Sequence, residues 1–408
     1  MTLSELPEGC PIGLVRRASS LGGIEGQVHR WAIHLRDRLH CRPLLLTGRD
    51  GPLARKFTET GLGVHVIPEL MFRRPWPAAA RILELTRREG IRLLQSNAFR
   101  ESIVCRLVRR SSPGVRHIFR MHTSLDWSDR PASVLWAYHQ LDRLTQTHVD
   151  AYAVNGEYLR DELIQRSRIS PTKIACIYDG RPPLAEPDIV RADGEPLPPI
   201  LAVVSRITVR KGFETLLRAL ALIRRRGPPL SVVVYGSHES ATDGGGGLYF
   251  DALCRMAVAE GVRDWIHFKG HIEDVAAALK TADVVALPSE SEGIPNSILE
   301  ALCLKKLVVA TAVGGVPEII QDETNGFLIP PNDPSVLADR LLRIFAAPSA
   351  SLAALREAGY RTWSEKFSMA RYVEKMGALY CETLAGRCLE SGHPSILSMP
   401  SNSHAPGA

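Results

Sequence analysis

Several common sequence features are missing from this chain of 408 residues, and each absence narrows the class of protein. It has no run of eighteen apolar residues, so we expect no transmembrane helix. Its first residues, MTLSELPEGC, lack the basic-then-apolar pattern of a secretory signal, which predicts a cytoplasmic protein. The eight cysteines include no CxxC pair, so we expect free thiols of a reducing cytosol and no zinc site. Aromatic residues amount to only 6 %, and no nucleic-acid-binding module is recognisable, so we expect no nucleic-acid partner.

What the chain does contain is enough apolar residues, 45 %, for large cores, over a length typical of two or three domains. Its charge is uneven. Residues 1–190 hold 28 Lys and Arg against 20 Asp and Glu, whereas the remainder holds 22 against 24. The basic first half is the half that we expect to meet an anionic partner, and by charge alone the candidates are a membrane surface, a phosphorylated acceptor or nucleic acid. An ordinary solvated surface is the equally weighted alternative.

Short apolar runs alternate with longer amphipathic runs along both halves of the chain. The runs typical of strands are PIGLVRR, RPLLLTG, GVHVIPE, IRLLQSN, VRHIFRM and AYAVNGE, then PILAVVSRI, LSVVVYG, IHFKGH, DVVALPS, LVVATAV and FLIPP. Alternating strands and helices predict parallel sheets covered on both faces. We therefore expect an α/β protein with two Rossmann-like domains and a cleft between them, with ligands bound where the strands end.

A proline-rich segment separates the two halves. Residues 181–199 contain six prolines and little apolar periodicity, which predicts a linker between a first domain, 1–180, and a second domain, 200–365. Residues 366–388 carry apolar positions at helical spacing and are predicted to form a helix. The Ser-, Pro- and Gly-rich residues 389–408 are predicted to be disordered.

Two glutamates, Glu292 and Glu300, lie on either side of a predicted helix start. The strand run DVVALPS ends just before Glu292, Gly293 permits a tight backbone path, and Pro295 suits the first turn of a helix. Helix N-terminal amides bind anions, and carboxylates accept hydrogen bonds from hydroxyls. A nucleotide sugar, with its diphosphate and its many hydroxyls, needs both kinds of group. For either glutamate taken alone, an ordinary solvated side chain is the alternative.

Three other loops follow predicted strands in the same way. Arg206 and Lys211 lie in SRITVRKG, where two cations can hold a diphosphate, and two solvated bases are the alternative. TAVGGVPEII and SSLGGIEGQ each place a Gly-Gly pair after a strand, which lets the backbone approach a ligand closely. The GxGxxG spacing of a dinucleotide site is absent.

Together these motifs closely resemble the retaining glycosyltransferases of family 4, over about residues 11–385 and most densely over 200–330. The signature is the glutamate pair in SEGIPNSILEAL. SRITVRKG, GHIEDVAAALKTADVVALPS, GGVPEII and NGFLIPPNDP are similar to the donor-domain motifs, and GGIE and RMHTSL to the acceptor-domain motifs. The resemblance implies the GT-B fold, in which two parallel sheets face each other across a cleft and the last helix crosses back to the first domain. YDGRP, at 178–182, departs from an Asn-Gly pair that many relatives have there.

The resemblance also implies a role for each matching residue. Arg206 and Lys211 would neutralise the donor diphosphate, and Glu300 would hold the ribose hydroxyls. Glu292 would contact the transferred sugar, and His122 would lie beside that sugar and the attacking hydroxyl. The residues whose backbone would meet the donor are Gly22, Gly23, Gly270, His271, Ile272, Gly293, Ile294, Pro295, Asn296 and Ser297.

The implied reaction is transfer of a sugar from a nucleotide-diphosphate sugar to a hydroxyl, with retention at the anomeric carbon and with no metal or other cofactor. The expected donor is a UDP-sugar. The expected acceptor is a carbohydrate or lipid-linked compound in bacterial polysaccharide, lipopolysaccharide or glycolipid assembly. The alternatives are a nucleotide-sugar epimerase of the same fold and a non-catalytic subunit that binds a nucleotide sugar.

The segment LMFRRPWPAAARILELTRREG, at 70–90, mixes arginines with Phe72 and Trp76. In this family such a patch often meets the membrane, and its basic amphipathic pattern suits an anionic surface. One interpretation is therefore a peripheral protein at the inner face of the plasma membrane. The other is a helix that packs on its own sheet and leaves a solvated basic side.

Overall fold

The computed structural model describes residues 7–17, 23–124, 131–184, 199–237, 246–272 and 274–387. These residues form two compact units. Unit 1 takes its described residues from Met1–Gly180 and Ala370–Ala408, and unit 2 from Arg181–Met369. Most of the predicted linker and the predicted disordered tail lie outside the described residues.

All strand pairs within the two sheets of the described chain are parallel. In chain order the strands are β1 (Pro11–Arg16), β2 (Arg42–Thr47), β3 (Gly63–Val66), β4 (Leu93–Ser96), β5 (Arg116–Met121), β6 (Ala151–Val154), β7 (Ile174–Cys176), β8 (Ile200–Val204), β9 (Ser231–Tyr235), β10 (Ile266–Gly270), β11 (Val284–Leu287), β12 (Leu307–Thr311) and β13 (Phe327–Ile329). The sheet of unit 1 has the order β3-β2-β1-β4-β5-β6-β7, and that of unit 2 the order β10-β9-β8-β11-β12-β13.

Helices connect most of the strands, as a parallel sheet requires. In chain order they are α1 (Gly23–Asp37), α2 (Pro52–Glu59), α3 (Trp76–Glu89), α4 (Phe99–Ser111), α5 (Ala132–Thr145), α6 (Glu157–Gln165), α7 (Phe213–Arg226), α8 (Gly246–Ala259), α9 (Val275–Lys280), α10 (Asn296–Cys303), α11 (Val316–Ile319), α12 (Pro334–Ala346), α13 (Ser349–Thr362) and α14 (Met369–Ala385). The predicted α/β fold with two parallel sheets is confirmed. The sequence predicts every strand except β7, because three residues make too short an apolar run.

The cores of both units lie between sheet and helices, which explains the continuous apolar strand runs. All four residues of β11 are buried, because helices cover both faces of the sheet. On α7, Leu216, Leu220 and Ile223 recur at helical spacing and are fully or almost fully buried. They share one core cluster with Leu341 of α12. Truncating one such leucine to alanine costs about 2–5 kcal/mol of stability.

Helix α14 packs within unit 1, although the chain reaches it from unit 2. Trp31 of α1 donates from Nε1 to the hydroxyl of Tyr380 at 3.0 Å. That hydroxyl donates in turn to Gln95 Oε1 on β4, at 2.6 Å. All three side chains are buried. This hydrogen-bonded chain fixes the last helix on the first sheet and helix of the protein.

Helix α3, from the basic aromatic segment, packs on its own sheet. Ala78, Ile82 and Leu85 are buried in the core cluster that includes residues of β4. The helix itself therefore fits the structural interpretation of this segment. Phe72 and Trp76, by contrast, are 54 % and 62 % exposed.

Membrane spans, metal sites and disulfides can be assessed in the part of the chain that the structure describes. No helix there is both long and apolar enough to cross a membrane. No group of three or more His, Cys, Asp or Glu side chains is placed to hold a metal ion. None of the seven described cysteines forms a disulfide.

Each sheet has a point at which the strand order reverses. In unit 1 it lies between β1 and β4, and in unit 2 between β8 and β11. The connections that leave the two strands run to opposite sides there, which opens a crevice at the carboxyl ends of the strands. These two reversal points are where ligand sites are expected.

Candidate active site

An ion pair lies at the reversal point of unit 2. Lys211 ends the short turn after β8, and Glu292 lies between β11 and α10. Lys211 Nζ is 2.6 Å from Glu292 Oε1, and Ser289 Oγ donates to the same oxygen, also at 2.6 Å. Glu292 is only 7 % exposed, so these two contacts stabilise a carboxylate that has lost most of its water.

Gly212 determines where this ion pair can form. Its φ is +68°, and a Cβ there would lie 1.8 Å from the carbonyl oxygen of Pro288. Only glycine fits both the dihedral angle and the space. The close approach brings the loop after β8 against the end of β11, and Glu290 N donates to Arg210 O at 2.9 Å between the same two loops.

The start of α10 completes this side of the site. Pro295 precedes the helix in an extended conformation, and no side chain among the described residues caps it. Gly315 N donates to Gly293 O at 3.2 Å, which places the GGVP turn beside the EGIP loop. The first-turn amides of α10 therefore lack a capping side chain and, at the positive end of the helix dipole, suit an anion.

Glu300, in the second turn of α10, lies beside Arg181. The distance from Arg181 Nη2 to Glu300 Oε1 is 3.6 Å, and both side chains are largely buried. The backbone of Arg181 is fixed as well, since its N–H donates to Phe367 O and its carbonyl accepts from Met369 N, both at 2.9 Å. Sequence analysis does not identify Arg181, because it opens the proline-rich segment that predicts a linker.

The remaining residues predicted for the donor lie at the same carboxyl edge of the sheet. Arg206 is exposed just after β8. Gly270 ends β10 with φ +75°, and its carbonyl accepts from Gly236 N at 2.8 Å. His271 is exposed and Ile272 is half-buried. The motif loops of unit 2 thus converge on one edge.

His122 follows β5 at the carboxyl edge of the sheet of unit 1 and is 7 % exposed. Its Nδ1 lies 3.2 Å from Asp179 Oδ2. A carboxylate can only accept, so the proton of this bond sits on Nδ1 and Nε2 keeps its lone pair. Nε2 is buried and finds no hydrogen-bond partner within the described residues. Since an unsatisfied buried acceptor is costly, this nitrogen marks a place for a ligand hydroxyl.

Asp179 is the centre of a buried polar network. Besides His122, it accepts from Arg120 Nη2 at 2.7 Å and from Asn155 Nδ2 at 3.2 Å. Burial alone would raise the pKa of Asp179, but His122 and Arg120 together hold that pKa below its usual value. Burial lowers the pKa of His122, and the charge of Asp179 opposes this only in part. At neutral pH the network therefore holds an ionised Asp179, a charged Arg120 and a neutral His122.

The sequence motifs indicate His122 but not its partners. Asp179 follows β7, the strand that the apolar pattern does not reveal, and the acidic residue two positions after IACI is the signal that could have found it. Asn155 follows β6 in the same way. Arg120 gives no such signal, because an arginine inside an apolar strand pattern is not expected to be fully buried.

The glycine loop of unit 1 is described only in part. Gly22 lies outside the described residues, and Gly23 is the first residue of α1. Glu25, in the GGIE motif, is 4 % exposed, and its Oε1 lies 2.6 Å from Arg16 Nη2 at the end of β1. Arg16 Nη1 is also 3.7 Å from Glu101 Oε1 on α4. These charged groups lie at the reversal point of unit 1.

Two family models match the chain and together include both units. The model described as Glycosyltransferase Family 4 matches residues 21–183, and the model described as Glycosyl transferases group 1 matches residues 189–362. The chain belongs to the group 1, family 4 glycosyltransferases. The resemblance seen in the motifs is thereby confirmed, and Glu292, Glu300 and Lys211 lie within the group 1 match.

Known proteins similar to this family 4 chain agree with its fold. A D-inositol 3-phosphate glycosyltransferase of Saccharomonospora viridis is 30 % identical over 245 residues, which are 58 % of this chain and 56 % of the relative. The chain spans about half the length of the curated relatives it matches. The crystal structure of a glycosyltransferase from Rickettsia africae superposes with TM-score 0.78 at 19 % identity, over 92 % of this chain and 98 % of that one. Anabaena HepE in complex with UDP gives TM-score 0.76 at 19 % identity, over 92 % and 99 %. These likenesses confirm the predicted GT-B fold.

Proposed function

We propose that this chain is a retaining, metal-independent glycosyltransferase that moves a sugar from a UDP-sugar to a hydroxyl acceptor. Family membership supports the general activity. The observation that carries the proposal is the Lys211–Glu292 pair beside the uncapped start of α10, at the reversal point of the sheet. A cation and helix amides suit a diphosphate, while carboxylates suit the hydroxyls of ribose and sugar. No cofactor is needed for such a transfer.

In this proposal the leaving diphosphate is stabilised by Arg206, Lys211 and the first amides of α10. Charge grows on the diphosphate as the bond to the sugar breaks, so these groups act more strongly in the transition state than before it. An ammonium has three donors, so Lys211 can keep its bond to Glu292 while it binds phosphate. The acceptor hydroxyl attacks from the face that the diphosphate leaves, and its proton passes to a leaving phosphate oxygen.

We assign His122 to hydroxyl binding next to the reacting carbon. Its neutral Nε2 can accept a hydrogen bond from a hydroxyl of the sugar or the acceptor. Asp179 acts through His122 and is therefore a positioning residue, since it fixes the proton on Nδ1. Arg120 balances the charge of Asp179 and keeps that carboxylate ionised.

The test begins with a panel of nucleotide sugars, screened for thermal stabilisation of the protein, and continues with transfer assays. Lys211→Ala should lower transfer at least about a thousand-fold, because it removes stabilisation of the leaving group. Lys211→Gln, which is neutral but can still donate a hydrogen bond to Glu292, should lose nearly as much activity as Lys211→Ala while losing less stability. The control is Arg218→Ala on the exposed side of α7, which should stay active.

Two outcomes would contradict this assignment. Full activity of Lys211→Ala with any nucleotide sugar would show that the site lies elsewhere. A changed sugar still attached to the nucleotide, formed without acceptor, would indicate an epimerase instead. Turnover by the isolated chain would exclude a non-catalytic subunit.

For the acceptor side we propose a cytoplasmic enzyme that works at an anionic membrane surface on a carbohydrate or lipid-linked acceptor. The support is the positive first half of the chain and the exposed Phe72 and Trp76. Co-sedimentation with anionic vesicles should weaken as salt rises, and a Phe72→Ser, Trp76→Ser double variant should sediment less at any salt concentration. No association with anionic vesicles at low salt would defeat this part of the proposal.

A further inference from the structure

A pocket of about 230 Å³ opens at the reversal point of unit 1. Its walls come from the end of β1, from the segment between β3 and α3, from the first half of α4 and from α5. None of the residues assigned above to the donor or to the His122 network lines it. It occupies the place in an open parallel sheet where ligands bind. Of its lining residues, only Phe72 has been given a role above, at the membrane surface.

Charge is distributed unequally around this pocket. The ionisable residues that line it are Arg17, Arg73, Arg74, Arg100, Glu69 and Glu101. Glu101 is already engaged, because its Oε1 accepts from the backbone N–H of Arg17 at 2.9 Å and lies near Arg16. An excess of two positive charges remains, carried by guanidinium groups whose planar forks match phosphate or carboxylate oxygens.

The uncharged part of the lining is aliphatic or aromatic. Phe99 and Tyr138 lie with ring centroids 4.9 Å apart and give a broad aromatic wall, which suits the C–H face of a saturated ring. Among the charged residues, Glu69 has a buried Oε2 with no hydrogen-bond partner in the described part of the chain. Such an oxygen is suited to accept from a ligand hydroxyl.

The size of the pocket limits what it can hold. Pockets for drug-sized ligands measure about 300–1,000 Å³, and this pocket is smaller. It is therefore matched to a single ring with its substituents and not to a whole oligosaccharide. Arg100 Nη2 already donates to Phe72 O at 2.8 Å. A neutral hydrocarbon chain would still offer no hydrogen-bond partner to Glu69 Oε2 and no opposite charge to the arginines.

We propose that this pocket binds an anionic hydroxylated ring of the acceptor, namely a sugar or cyclitol that carries phosphate. Arg73, Arg74 and Arg100 take the phosphate, and Glu69 takes a ring hydroxyl. This proposal rests on the proposed function, since it names the class of acceptor for the same transfer. The ring can belong to a soluble phosphate or to the headgroup of a lipid, because the recognised chemistry is the same.

The experiment measures binding of myo-inositol 1-phosphate, glucose 6-phosphate and inorganic phosphate to the full chain by calorimetry. The chain offers a matched control, because a second Arg-Arg pair, Arg87 and Arg88, lies exposed on α3 outside the pocket. The double variant Arg73→Gln, Arg74→Gln should weaken binding of both ring phosphates at least about ten-fold. The double variant Arg87→Gln, Arg88→Gln removes the same charge and should change binding less than about two-fold.

Glu69→Ala tests the recognition of the ring. It should weaken binding of the two ring phosphates about ten-fold and leave inorganic phosphate unchanged, since phosphate alone has no hydroxyl for Glu69 to bind. Equal weakening by the two arginine double variants would overturn the proposal, because the effect would then be one of general charge. Absence of binding by the wild-type chain to all three probes would overturn it as well.

Vesicle competition distinguishes a lipid-borne ring from a soluble one, and UDP binding distinguishes failure of the pocket proposal from failure of the proposed function. Vesicles that contain phosphatidylinositol, compared with phosphatidylglycerol vesicles of equal charge, show whether a lipid headgroup competes for the pocket. Competition by the former alone supports a lipid-borne ring, and no competition by either supports a soluble one. UDP binding is measured on the same samples. If UDP binds and the ring phosphates do not, the pocket proposal fails alone, whereas absence of binding by every nucleotide or nucleotide sugar counts against the proposed function.

Discussion

His122 Nδ1 donates to Asp179 Oδ2 at 3.2 Å, although the two residues are 57 positions apart in the chain. The contact forms because β5 and β7, on either side of β6, end at the same edge of the sheet. The same carboxylate accepts a hydrogen bond from Arg120 Nη2 at 2.7 Å, so the positive charge of Arg120 balances the charge of Asp179 without protonation. One carboxylate thus fixes the tautomer of the histidine and leaves Nε2 as an acceptor.

Replacing Asp179 with asparagine should slow transfer about ten- to a hundred-fold, because an amide no longer fixes the proton on Nδ1. The pH profile should move as well. The charge of Asp179 raises the pKa of His122, so its removal lowers that pKa further below 6.5. In the proposed function, activity requires neutral His122 and falls as pH drops through its pKa. The acid limb of kcat/KM in Asp179→Asn should therefore move to lower pH.

The matched control for Asp179→Asn is Asn155→Ser, which removes one hydrogen bond to Asp179 and keeps its charge. The transfer rate of Asn155→Ser can change, but the acid limb of its kcat/KM profile should lie at the same pH as that of the wild type. The Asp179 variant leaves Arg120 buried without its carboxylate, which costs about 3–5 kcal/mol, so assays are run well below its melting temperature. An unmoved acid limb would reduce Asp179 to a structural role.

Glu300→Ala should remove the preference of the protein for ribose. In the proposed function the wild type binds UDP at least about ten-fold more tightly than 2′,3′-dideoxy-UDP, since a hydrogen bond to a charged group contributes about 1.5–3 kcal/mol. The variant should bind both nucleotides with similar affinity by calorimetry. Glu290→Ala, an exposed glutamate in the neighbouring loop, should retain the preference. If Glu300→Ala still binds UDP more tightly than 2′,3′-dideoxy-UDP, other residues bind the ribose hydroxyls.

Gly212→Ala should destabilise the protein more than Gly261→Ala. Both glycines have nearly the same positive φ, +68° and +69°, but a Cβ at Gly212 would meet Pro288 O at 1.8 Å, whereas nothing lies within 4 Å at Gly261. The left-handed conformation alone costs alanine about 1–2 kcal/mol, which Gly261→Ala measures. Gly212→Ala should cost at least about twice that in urea unfolding and should also weaken UDP binding. Similar losses of stability in the two variants would mean that the loop after β8 can move away from Pro288 without a cost in free energy.

His117 should make the protein less stable in acid. It is fully buried, its Nε2 lies 2.9 Å from Ser96 Oγ, and burial chiefly lowers its pKa from 6.5 to about 3. Between those two pH values the unfolded chain binds the proton and the folded chain does not. The free energy of unfolding is therefore highest above pH 6.5 and falls by up to about 1.4 kcal/mol per pH unit below it.

The variant His117→Gln, which keeps a side chain able to hydrogen-bond with Ser96, tests this. Between pH 7 and pH 5 its free energy of unfolding should fall by about 2 kcal/mol less than that of the wild type. His40→Gln, at an exposed position, is the control, and its free energy of unfolding should fall by as much as that of the wild type. Equal slopes for His117→Gln and the wild type would contradict the origin assigned to the acid sensitivity.

The parts of the fold and site that the sequence predicts are those with a local signal. Strand β11 and the start of α10 follow from an apolar run, a glycine and a proline within a dozen residues. Lys211 and Glu292 were placed on loops after strands for the same reason, and a parallel sheet brings such loops to one edge.

The parts that the sequence does not predict depend on partners far apart in the chain. Nothing near Arg181 indicates Glu300, and nothing near Arg120 indicates Asp179, because an ion pair leaves no periodic pattern in either segment. The pocket of unit 1 is missed for a similar reason. Arg17, Arg73 and Arg100 belong to three different segments that only the strand order brings together.

The two backbone hydrogen bonds that join Arg181 to Phe367 and Met369 have a consequence for how such enzymes can be recombined. The chain enters and leaves unit 2 at adjacent points, so residues 181–369 form an insertion whose ends already meet. Segments of this kind tolerate excision and exchange, because neither end has to be stretched to a new position. Arg181 and Met369 are thus natural junctions for chimeras in which unit 2 of one family member replaces unit 2 of another.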